Sequence, residues 1–79
     1  MVTKKIKSLL ALKGFSFADY ARALGILPQS LNSKTKKDAY KVNDLILLAE
    51  LTGTKLAFID DEGKAVFTFE KEDIKKEED

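Results

Sequence analysis

Apolar residues recur along the chain in two rhythms, and the change falls near Gly53. Before it the spacing is helical. Ile6, Leu9, Leu10 and Lys13 stand at i, i+3, i+4 and i+7 with lysines on the outer positions, which predicts a surface helix over 3–13 closed by Gly14. Ser16 opens a second helix over 17–24: its hydroxyl can accept from the third helical N–H, and Asp19 is placed to answer it as a capping box. Phe15 and Tyr20 are spaced as a hydrophobic staple, Tyr20, Ala21 and Leu24 form the inner face, and Gly25 ends the helix. Pro28 suits the first position of a third helix over 28–36, where its missing N–H leaves nothing unsatisfied. The fourth, over 42–52 (VNDLILLAELT), is the most apolar segment and is expected at the centre of the core.

Beyond Gly53 the period becomes two. KLAFID and KAVFTF alternate, are rich in β-formers and are separated by Asp-Glu-Gly, which predicts a hairpin with strands over 55–60 and 64–69. Alternation puts Leu56 and Phe58 on one side of the first strand, and Ala65, Phe67 and Phe69 on one side of the second. Ala57, Ile59, Val66 and Thr68 form the other side, which is also mostly apolar. A lone two-stranded hairpin is marginal in water, so one face is expected to pack on the helices. The other face, or an edge, is expected to meet a second copy of the chain. Residues 70–79 hold a single apolar side chain and read as a charged, disordered tail outside a domain of residues 1–69.

The third helix has a pattern of its own. At about 100° per residue, Gln29, Asn32, Ser33, Lys36 and Lys37 crowd one face while Leu31 and Thr35 lie opposite. One leucine and one threonine do not hold a helix by burial alone.

Composition narrows the function. A chain of 79 residues makes one small domain. The absence of cysteine excludes disulfides and thiolate metal sites, and the absence of histidine removes the commonest general base and zinc ligand. With no glycine-rich phosphate loop or nucleophile elbow either, neither an enzyme nor a cofactor is expected. Asp60, Asp61 and Glu62 lack the alternation of a calcium loop and are accounted for by the turn, so no metal is expected. The reducing cytoplasm suits such a chain. Its longest apolar run, Leu45–Ala49, is far short of the roughly 20 residues that span a bilayer.

The net charge of +1 hides a division. Residues 1–41 carry nine Lys/Arg against Asp19 and Asp38, a balance of +7, and residues 42–79 carry a balance of −6. That pattern fits a basic face for a polyanion with an acidic end kept away from it. It also fits ordinary solvated surface.

Two short helices about a glycine turn, the second with a polar outer face, suit insertion into a major groove about 12 Å wide. Within SFADYARALGILPQSLNSKTKK (Ser16–Lys37), Ala21, Gly25 and Leu31 are separated by four and six positions, with Tyr20, Leu24 and Ile26 at apolar positions. In this the segment resembles the phage-repressor (Cro and lambda-repressor-like) helix-turn-helix family. The preceding KGFS and the following DAYKVNDLILLAELTG look like the end of that family's first helix and its connector and fourth helix, so the resemblance covers about residues 3–56. It implies a mainly α, compact four-helix lambda-repressor-like domain, which the hairpin read from the alternation follows as a C-terminal β-hairpin. It also implies a sequence-specific, repressor-like transcriptional regulator that binds double-stranded DNA; the uncovered apolar strand surface adds the expectation of a homodimer through the hairpin. On the same resemblance Gln29 and Ser33 face base edges, Gln29 pairing with adenine, while Ser30 and Asn32 flank them. Lys34, Lys36 and Lys37 would hold phosphates, as would Ser16 with the first N–H groups of its helix. The chain departs from the family's usual glutamine at Phe17, its Ser or Thr at Leu27, its polar residue at Pro28 and its apolar residue at Lys34. The alternative is a protein-interaction module of the same fold, antitoxin-like or anti-regulatory, in which Gln29 and Ser33 are soluble helix surface.

Overall fold

Four helices and a hairpin follow one another in the computed structural model, which describes residues 1–74. They are α1 (Val2–Lys13), α2 (Phe17–Leu24), α3 (Pro28–Lys37), α4 (Val42–Thr52), β1 (Leu56–Ile59) and β2 (Ala65–Phe69), with a short 3-10 turn at Lys71–Asp73. The punctuation read from the sequence sets most of these limits. Ser16 and Asp19 make the reciprocal capping box, with the Asp19 N–H donating to the Ser16 hydroxyl at 3.1 Å and the Ser16 N–H donating to the Asp19 carboxylate at 2.9 Å. Gly25 takes the left-handed conformation (φ 73°) that lets the Ile26 N–H reach back to the Ala21 carbonyl at 3.1 Å, which fixes the angle between α2 and α3.

The core is built from Ile6 and Leu10 of α1, Tyr20 and Ala21 of α2, Leu31 of α3, and Ile46, Leu48 and Ala49 of α4. The fourth helix is central, as its composition predicts. On α1, however, Lys13 is exposed and the stripe runs through Thr3, Ile6 and Leu10 instead. Thr3 can be buried because its hydroxyl is satisfied, lying 2.8 Å from an Asp38 carboxylate oxygen and 2.7 Å from the Tyr40 hydroxyl.

Asp38 closes α3 in the left-handed region (φ 53°), the one non-glycine residue among those described with positive φ. Its carboxylate accepts from the backbone N–H groups of Val2 and Thr3 at 3.1 and 2.9 Å, so the end of α3 caps the start of α1. Donation from Thr3, backbone and side chain, holds the Asp38 carboxyl below its ordinary range. The Ser16 N–H and then Arg22 do the same for Asp19. A carboxyl lowered in the folded state contributes stability above its unfolded pKa near 3.9 and loses it as pH falls through the lowered value. The melting temperature should therefore be level above about pH 5 and fall below about pH 4. Melts of the wild type and Asp38→Asn over that range check this; the variant should be less stable at neutral pH and lose less on acidification.

The hairpin pairs Leu56 with Phe69, Ala57 with Thr68, Phe58 with Phe67 and Ile59 with Ala65. Its turn is built by Asp60, whose carboxylate accepts from the Glu62 and Lys64 N–H groups, both at 2.9 Å, with Gly63 left-handed (φ 82°). The register shifts at Phe58/Ile59, leaving Val66 as an extra residue on β2, which sets Ala65 opposite Ile59 rather than in line with Phe67. The expectation of one face lying on the helices holds only at the base. Leu56, Ala57, Thr68 and Phe69 are half-buried, while Phe58, Ile59, Val66 and Phe67 project beyond the helices and are exposed.

The segment expected to be a tail begins with structure. The 3-10 turn packs against α4, and Ile74 is half-buried in a depression it shares with Leu24, Ile26 and Leu47. The rest of that expected tail, residues 75–79, lies outside the described residues. Among the described residues no helix is long and apolar enough to cross a membrane.

Candidate nucleic-acid interface

α3 is fastened at two points. Leu31 is wholly buried. One turn on, the Lys34 ammonium lies 2.9 Å from a carboxylate oxygen of Asp44, a buried residue of α4. The same oxygen accepts the Lys41 N–H at 2.9 Å, ahead of the first turn of α4. The Tyr20 hydroxyl of α2 donates to the Asp44 backbone carbonyl at 2.8 Å. Burial, with Asp44 and Tyr40 adding to it, pushes the Tyr20 phenol well above its ordinary range, so it serves as a neutral donor. Asp44 thus ties α2, α3 and α4 together.

Fastening α3 on one side leaves the other free. Gln29, Ser33 and Lys36 form a row at i, i+4 and i+7 along the side of α3 away from Leu31, with Ser30, Asn32 and Lys37 beside it. All six are exposed. The structure therefore brings six of the sequence-derived site residues to one surface. Lys34 is not among them. Expected at a phosphate, it turns inward instead, at the position where the resembled family has an apolar residue, and its charge is matched by Asp44. Ser16 is the N-cap of α2 rather than part of that helix face. Its N–H is taken by Asp19, whose carboxylate also pairs with Arg22 at 2.6 Å, so that N–H is not open to a phosphate.

Phe17, where the resembled family often has glutamine, packs beside Tyr20 on the same helix, edge-on with centroids 6.3 Å apart. Two features were not read from the sequence. The Lys7 ammonium of α1 lies 5.4 Å above the centroid of the Phe17 ring. In addition, the Asp38 clamp holds the start of α1, with exposed Lys4 and Lys5, beside the end of α3, with exposed Lys36 and Lys37. Neither leaves a local signal, since each joins residues from different helices. No family model, curated protein or solved structure matches the chain.

Proposed function

We propose that the chain is a sequence-specific, repressor-like DNA-binding regulator that inserts α3 into the major groove and acts as a homodimer through its hairpin. The observation that carries this reading is the Gln29–Ser33–Lys36 row, on the open side of a helix whose other side is held by Leu31 and the Lys34–Asp44 pair. A helix held this way presents amide and hydroxyl groups at base-edge height with lysines at the phosphates. Gln29 is suited to a bidentate contact with adenine, worth about 1–3 kcal/mol of discrimination. One such module buries only roughly 600–1,000 Å² on DNA, and pairing across half-sites one helical turn apart multiplies its grip.

The projecting end of the hairpin supports a second copy as the partner. Phe58 and Phe67 are 65% and 71% exposed, directly opposite each other, and border an open depression of about 420 Å³ that Val42 and Phe69 also line. Together the two rings leave roughly 200–350 Å² of apolar surface in water. Ile59 and Val66 add to it. That is a sizeable share of the roughly 800 Å² per partner of a stable interface.

Fluorescence anisotropy of labelled duplex DNA of mixed sequence, at about 50 and about 200 mM salt, tests the reading. Binding in the micromolar range that weakens steeply with salt is expected, with Gln29→Ala losing preference among sequences rather than salt dependence. No binding at either salt would leave the protein-interaction module, whose contact surface would then be the exposed aromatic end of the hairpin.

A further inference from the structure

We infer that Lys7, on α1, is a phosphate-binding residue of the DNA interface, held in place by the Phe17 ring; this rests on the DNA-binding reading above. α2 begins at Phe17, and the first helix of a helix-turn-helix pair crosses the phosphate backbone. That helix start would ordinarily attract an anion, but here it carries its own: the Asp19 carboxylate takes the Ser16 N–H. Arg22 offsets that charge at 2.6 Å. The cation left over is Lys7, 5.4 Å above the Phe17 ring, with no carboxylate paired to it among the described residues. A flexible ammonium set over an aromatic face keeps its charge in solvent while its reach is restricted, and so gives up less freedom on binding. Phe17 is itself fixed against buried Tyr20, so the platform belongs to the core of the domain.

The chemistry follows from the residue types. Phenylalanine at position 17 has no hydrogen bond to give a phosphodiester, but it seats a neighbouring lysine whose charge-assisted hydrogen bond is the stronger kind. Lys4, one turn earlier on the same flank of α1 and exposed, extends the row towards Lys36 and Lys37.

The test uses the full chain and a labelled duplex of mixed sequence, with affinity measured across a salt series. For every phosphate that the protein no longer neutralises, the log–log salt slope becomes shallower by about 0.9. Lys7→Gln should therefore shrink the affinity change between about 50 and about 200 mM salt by about 3.5-fold, while Lys7→Arg keeps it. Lys13→Gln, at the other end of α1, is expected to leave the slope as it is. A wild-type slope in Lys7→Gln, or an equal change of slope in Lys13→Gln, overturns the inference and leaves the DNA-binding reading standing. Failure of the wild type itself to bind sinks both.

Discussion

Asp44→Ala is expected to cost about 3–5 kcal/mol of stability, the range for breaking a buried ion pair from one side. A domain of this size has only about 4–12 kcal/mol in total, so the variant should be at the edge of unfolding. Asp44 is 9% exposed, and one of its oxygens serves both Lys34 and the Lys41 N–H at 2.9 Å. Alanine would strand the Lys34 ammonium in a half-buried site and leave a helix-start N–H without its acceptor. Lys34→Met also leaves a buried charge without its cation, but Asp44 keeps the Lys41 N–H as a donor and methionine can fill the position against apolar neighbours. It should therefore cost clearly less. Urea unfolding of both variants measures the difference; a loss under about 1 kcal/mol in Asp44→Ala would show that the pair is not what holds α3 to α4. Because Leu31 is the one fully buried side chain of α3, loosening this second fastening should also blur the placement of Gln29 and Ser33.

The contrast between Asp44 and Ser16 shows what the sequence can and cannot reveal. Ser16 and Asp19 are three residues apart, and their capping box depends on geometry internal to one turn of helix, so it was legible. Gly25 and Pro28 were legible for the same reason, since each acts through its own backbone. Lys34 and Asp44 are ten residues apart on different helices. Taken singly, a lysine in a cationic run reads as a phosphate ligand, and an aspartate early in an apolar helix reads as an ordinary first-turn acid. Only packing shows that each satisfies the other. The Asp38 clamp on α1 is more distant still, at a sequence separation of 35. The hairpin lies between these cases. Alternation disclosed two apolar faces, but whether the helices cover them depends on how far α4 and its neighbours extend, which no period records. The open face of α3 was visible because helical period alone separates Gln29, Ser33 and Lys36 from Leu31.

Phe67→Lys is expected to give a monomer whose affinity for a two-half-site duplex is weaker by about 10²–10⁴-fold, the size of the advantage that linking two modules confers. The position suits the experiment because folding makes little demand on it: Phe67 is 71% exposed, and its strand partner Phe58 is 65% exposed. The hairpin's aromatic contact, Phe58 with Phe69 at 5.8 Å between centroids, is left in place, and losing one cross-strand neighbour should cost under about 1 kcal/mol, so helical content and melting temperature should be close to wild type. An ammonium in the middle of a self-facing apolar patch is a different matter. In a two-fold interface each substitution counts twice, and two lysines would have to be desolvated close together. Phe58→Lys, directly across the ladder, should behave alike, which separates a shared surface from a peculiarity of one side chain. Sedimentation at the concentrations used for DNA binding, followed by titration of duplexes with one and two half-sites, reads both quantities. In the dimer the two-site duplex should bind far more tightly than the one-site duplex, and in either variant the two should converge. A wild type that sediments as a monomer while binding the two-site duplex tightly, or a Phe67→Lys variant that stays dimeric, would place the pairing surface elsewhere and leave the exposed rings to a different partner.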